Sequence, residues 1–126
     1  MTAPVLKTST TRVGPVVVCA FTGDMIMDNE AVGDRALRRA LAERPGVLAL
    51  DLARVDLFTS SALSQLVRAR RTAAADGIPL VLVAPSPVVR RVLSVTEAAP
   101  LFPTYPTVDD VIQAHVGTDG NGGGRQ

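Results

Sequence analysis

The chain has 126 residues, 47% of them hydrophobic, with a formal net charge of +1 and a single cysteine. That length bounds one domain with a sizeable core. One cysteine excludes a disulfide framework, and no apolar run approaches the roughly 20 residues that span a bilayer. The opening MTAPVLKTSTTR carries no apolar signal region, so a cytoplasmic protein without membrane contact is expected. The basic residues are scattered among acidic ones along the chain, and the few aromatics, Phe21, Phe58, Phe102 and Tyr105, form no stacking platform. Direct nucleic-acid binding is therefore not expected.

Short β-rich runs alternate with helical patterns, which predicts an α/β domain. Residues 5–13 read as a strand, paired across Gly14-Pro15 with a continuous apolar strand at 16–21 that Thr22-Gly23 ends. Cys19 sits inside that apolar run, where burial makes a thiol inert. Residues 29–43 follow helical spacing through Val32, Ala36, Leu37, Ala40 and Leu41. Asp28 or Asn29 serves as N-cap, and Pro45-Gly46 marks the stop. A strand at 47–52 leads through a serine-bearing loop into a helix at 61–75. Its predicted inner face is Leu63, Leu66, Val67 and Ala74, and Gly77 supplies its C-terminal stop.

Residues 80–84 form another apolar strand. Ser86 as N-cap and Pro87 at the first helical position open the next helix, with Val88 or Val89, Val92 and Leu93 inside and Arg90 and Arg91 outside. Residues 102–105 read as a last extended segment. Thr107 then caps a final helix, with Asp109 and Asp110 in its first turn and Val108, Val111 and Ile112 on its apolar side. The segment from 117 to 126, GTDGNGGGRQ, cannot bury apolar area and is expected to be a disordered tail beyond a domain of residues 1–116.

The chemistry concentrates at Ser60 and Ser61, where a strand gives way to a helix. One reading makes both serines capping and first-turn residues, because a hydroxyl accepts an orphan helix N–H. The other divides the work: Ser60 caps, and Ser61 presents its hydroxyl for phosphorylation. A phosphate there adds about −1.5 to −2 charges and faces the positive end of the helix. Helical stacking places Gln65 and Arg68 in line with Ser61 as a docking row.

A serine hydrolase is the competing class. Its nucleophile elbow needs G-x-S-x-G, whereas the local run is Thr59-Ser60-Ser61-Ala62-Leu63. The one histidine, His115, reads as a surface residue near a helix C-terminus. Asp51, after an apolar run, imitates a receiver-domain phosphoacceptor, but Asp24 and Asp28 are not adjacent and the one lysine is Lys7. Asp51 is instead expected at the strand end, bonding the following turn. No metal spacing, dinucleotide fingerprint or P-loop occurs, so no cofactor and no enzymatic activity are expected.

Three motifs carry a family resemblance. Residues 47–51 with Thr59-Ser60-Ser61-Ala62-Leu63 resemble the strand and D-S-S-G-L loop of the STAS family, and within it the stand-alone anti-sigma factor antagonists. The run Ala84-Pro85-Ser86-Pro87-Val88-Val89-Arg90-Arg91-Val92-Leu93 is similar to the family's SPxVRRVL segment. Leu101-Phe102-Pro103-Thr104-Tyr105 resembles its ending before a short helix. The resemblance covers residues 5–116. It implies a four- to five-stranded mixed sheet with about four helices, packed mainly on one side.

The resemblance also implies a function in bacterial transcription regulation. The unphosphorylated protein binds an anti-sigma factor, often itself a serine kinase, and thereby frees a sigma factor. Phosphorylation of Ser61 breaks the complex, and a PP2C-type phosphatase restores it. Partner contacts are implied for Thr59, Ser60, Ala62, Gln65, Arg68, Asp24 and Met25. The chain departs from the pattern at Thr59, where the family has an acid, at Ala62, where it has glycine, and at Ile26, where G-x-L-D carries its aspartate. The alternative is a constitutive interaction module not regulated by phosphorylation. Phe102, Tyr105 and the apolar residues at 25–27 either cover a partner or finish the core, so a monomer or weak dimer is expected.

Overall fold

A computed structural model of the chain describes residues 5–117. Beyond Gly117, the glycine-rich tail lies outside the described residues. Five strands form one sheet in chain order: β1 (Leu6–Val13), β2 (Val16–Met25), β3 (Val47–Phe58), β4 (Leu80–Val83) and β5 (Thr104–Tyr105). β1 and β2 are the antiparallel hairpin expected across Gly14-Pro15, with Val13 opposite Val16. The remaining pairs are parallel. Helices α1 (Glu30–Ala42), α2 (Ser60–Ala75) and α3 (Pro87–Val95) make the crossovers. The final helix, α4 (Val108–Ile112), continues as a wider π-helical turn through Gly117.

Apolar alternation along the strands builds two cores. On one face, Val17, Cys19, Phe21, Leu48, Leu50 and Leu82 meet the buried stripes of α1, α2 and α3. On the other, Val16, Val18, Val47, Ala49, Val81 and Val83 meet Val111 of α4. The layers match the expected mixed sheet with helices mainly on one side.

Several boundaries differ from the sequence reading. β2 continues past Thr22-Gly23, and β3 runs six residues past Leu52 to Phe58. The added halves pair with each other, Gly23 opposite Val55 and Met25 opposite Phe58, across register shifts after Ala20 and Gly23. β4 reaches only to Asp51 on β3, so the distal β2–β3 ribbon projects past the rest of the sheet. Asp51 consequently lies within β3, where its Oδ1 accepts from the Ala53 N–H at 3.1 Å.

The ribbon's open side is held by Ser86, whose N–H donates to the Leu52 carbonyl at 3.1 Å. Its hydroxyl donates to the Val55 carbonyl at 2.8 Å. Ser86 occupies the α3 N-cap position, yet its side chain serves the strand and makes no cap bond. Asn29 likewise stands at the α1 N-cap without capping; its amide donates to the Asp24 carbonyl at 2.8 Å. Thr107 does cap α4, accepting from the Asp110 N–H at 3.1 Å.

Cys19 is fully buried. Desolvation outweighs a hydrogen bond from Thr10 and pushes its thiol from 9.0 to about 11. Below about pH 9 the thiol is protonated in both states and this contribution to stability is intact. As pH rises from about 9 toward about 11, the unfolded chain ionises first and stability falls. Urea unfolding of the wild type and Cys19→Ala at neutral and strongly alkaline pH checks this. The wild type should lose more stability than the variant, whereas equal losses contradict the assignment.

Candidate functional site

Because β3 extends to Phe58, Thr59 alone separates it from α2. Thr59 is the extended N-cap residue (φ −102°, ψ 176°) and Ser60 the first helical residue. Ser60 is therefore not the cap, as its position before the apolar run had indicated. No side chain caps this end of α2, so the first-turn N–H groups have no side-chain acceptor.

The Thr59 side chain turns back to the ribbon. Its N–H donates to the Met25 carbonyl at 3.2 Å, and its hydroxyl donates to the same oxygen at 3.4 Å. The Ser61 Oγ lies 3.0 Å from the Thr59 Oγ1. With the Thr59 proton directed at Met25, Ser61 donates to Thr59. A short hydroxyl chain thus links the end of β2 to the first turn of α2.

The site residues divide by exposure. Thr59, Ser60 and Arg68 are exposed, while Ser61 and Asp24 are half-buried. Ala62 is buried, with its methyl group in the core, and the Met25 side chain is buried as well. Met25 acts here through its carbonyl. Two apolar side chains are exposed in the segments leading away from this turn: Leu57, 50% exposed near the end of β3, and Met27, 70% exposed just after β2. The sequence pattern points to Met27 and not to Leu57, whose exposure becomes legible only when the V-D-L-F run at 55–58 is a strand.

Gln65 is not part of an open docking row. It is only 3% exposed, and its Nε2 donates to the Glu30 carbonyl at 2.8 Å and to Asp34 Oδ1 at 2.9 Å. Gly33 makes room for it: a Cβ there would come within 2.6 Å of Gln65 Oε1. The amide thereby clamps α2 to α1. Arg68, one turn on, keeps its place on the surface in a solvent-exposed ion pair with Glu30 at 3.0 Å, a contact worth little in water. The inner face of α2 carries Ala73, while Ala74 is exposed.

Among the described residues, the side-chain hydrogen-bond partner of Ser61 is Thr59. His115 is engaged with the Tyr105 hydroxyl at 3.1 Å, beside α4 rather than α2. Among the described residues, no group of three His, Cys, Asp or Glu is placed to hold a metal ion, and no helix is long and apolar enough to cross a membrane.

A five-stranded sheet with three helices on one face, and a hydroxyl-bearing turn where β3 enters α2, defines a small mixed α/β domain. Residues 7–111 match the family model of the STAS domain, and the chain belongs to that family.

Among solved structures it is similar to an anti-sigma factor antagonist from Mycobacterium paratuberculosis. That match has 27% identity and a TM-score of 0.80, covering 91% of this chain and 98% of the other. The anti-sigma factor antagonist SpoIIAA in its unphosphorylated form shares the fold at 18% identity and a TM-score of 0.72, covering 86% and 95%. The Bacillus cell fate determinant SpoIIAA in the phosphorylated form does so at 17% and 0.65, covering 86% and 98%. No curated protein sequence matches.

Proposed function

We propose that this protein is an anti-sigma factor antagonist whose binding is switched off by phosphorylation at Ser61. The observation that carries the reading is the placement of the Ser61 hydroxyl. It sits in the uncapped first turn of a 16-residue helix, at the end of a projecting ribbon. The antagonist from Mycobacterium paratuberculosis, similar over nearly the whole chain, supports the partner class.

The unphosphorylated surface around Thr59, Ser60 and Ser61, with Asp24 and Arg68 at its edges, binds an anti-sigma factor that is a serine kinase. Binding frees a sigma factor in the cytoplasm. The chain is the substrate of that kinase and performs no chemistry itself. A phosphate on Ser61 brings about −1.5 to −2 charges and three acceptor oxygens. The open N–H groups and dipole of α2 favour it within the domain, so the penalty falls on the complex. A PP2C-type phosphatase reverses the step.

The test is to incubate the protein with candidate anti-sigma kinases and ATP and to locate phosphate by mass spectrometry. Phosphate at Ser61, absent from Ser61→Ala, is the expected result. Ser61→Ala keeps partner affinity, and Ser61→Asp loses roughly tenfold or more, as for an unmatched charge at an interface. Stable binding with no kinase able to modify Ser61 would identify a constitutive module instead. The absence of a carboxylate at Thr59 is the feature that favours that second reading.

A further inference from the structure

Folding separates charges that the sequence interleaves. Helices α1, α2 and α3, all on one face of the sheet, carry eight arginines against Glu30 and Asp34, a formal +6. The other described residues carry four basic and nine acidic side chains, a formal −5. A chain with a net charge of +1 therefore presents a strongly basic helical layer. All eight arginines except the half-buried Arg70 are exposed. Arg35, Arg38, Arg39, Arg71 and Arg91 make no hydrogen bond or ion pair among the described residues.

Within this layer, a groove of about 240 Å³ runs between α1 and α2. Leu37 and Ala69, both buried in the core, floor it, the half-buried Leu41 offers its open apolar surface, and the exposed Arg38 and Arg68 complete the lining with Asp34, Gln65 and Thr72. The volume is below the roughly 300 Å³ at which pockets begin to enclose whole small molecules. It suits a few side chains projecting from a larger body.

We infer that the α1–α2 groove is a docking surface for an acidic amphipathic helix of a protein partner. An apolar side chain of that helix packs on Leu41 over the groove floor, and its carboxylates meet Arg38 and Arg68, the charge complementarity that selects an acidic helix in a groove. The exposed pair between Arg68 and Glu30 is exchanged at little cost. Nucleic acid fits less well: α1, α2 and α3 hold no aromatic residue on which a base could stack, and the Asp34 carboxylate in the groove lining repels a phosphate backbone. Ser61 lies seven residues before Arg68 on α2, about 10 Å along the axis. A phosphate there opposes the same acidic partner. The docking surface itself does not depend on Ser61 being modified.

The experiment is an NMR titration of the isotope-labelled full chain with a synthetic amphipathic helix bearing Leu on one face and Glu on the other. A Leu/Lys helix of the same spacing and a short DNA duplex serve as competitors. The Leu/Glu helix should shift amides lining the groove on α1 and α2 and should weaken with added salt. The double variant Arg38→Glu/Arg68→Glu, shown to be folded by an unchanged circular dichroism spectrum, should bind roughly tenfold or more weakly. Four results would each overturn the proposal: no shifts at millimolar peptide, equal binding of the Leu/Lys helix, tighter binding of DNA, or unchanged affinity in the variant. Self-association that the same substitutions abolish would instead assign the face to a second copy of the chain.

Discussion

Gly23→Ala should lose about 3 kcal/mol or more of folding stability. Gly23 has φ +115°, and a Cβ there would lie 2.2 Å from the Val5 carbonyl oxygen. The backbone conformation alone costs an L residue about 1–3 kcal/mol. The clash adds to this, because the Val5 carbonyl cannot move away without breaking its 2.9 Å bond from the Asp24 N–H. Gly77→Ala is the matched control. Its φ is +72° with nothing within 4 Å of the added Cβ, so only the left-handed conformation is penalised, at about 1–2 kcal/mol. Urea unfolding of both variants should show the larger loss at Gly23; equal losses would mean that the close approach at Val5 is relaxed at no cost.

Leu66→Ala is the second large effect. Leu66 is fully buried on α2, in the core beneath the helical layer. Its truncation should cost about 3–5 kcal/mol, since the lost apolar transfer is compounded by the cavity left behind. With domains of this kind stable by about 5–15 kcal/mol, much of the margin is removed. A midpoint shift without a change in the denaturant slope identifies a loss of packing rather than a change in the unfolded state.

The order of elements, the hairpin, the Thr107 cap and most inward-facing residues are legible in local pattern, because period and capping chemistry act within a few residues. The distal ribbon is not. In the Ala-Arg-Val-Asp-Leu-Phe run after Leu52, only Val55 and Phe58 are buried, a spacing of three that a period of two does not reveal. Its cause is the register shift against β2, a tertiary fact. The same extension moved the cap from Ser60 to Thr59.

Gln65 reads as a surface residue by type. It is buried because Gly33 and the Glu30 carbonyl, on another helix, receive its amide. The arginine layer is hidden for the same reason: the acidic residues that dilute it along the chain lie mostly in strands, caps and α4 once the chain is folded. The strand-to-helix transition points to Ser60 and Ser61 from local pattern alone. The hydroxyl chain from Met25 through Thr59 to Ser61 required the fold.

One preparation of the protein, titrated calorimetrically before and after stoichiometric phosphorylation at Ser61 against a candidate anti-sigma factor, tests the proposed switch most directly. The unmodified protein should bind tightly, lose at least roughly tenfold in affinity on phosphorylation, and recover fully after phosphatase treatment. Equal affinity of the two forms would contradict the proposed switch.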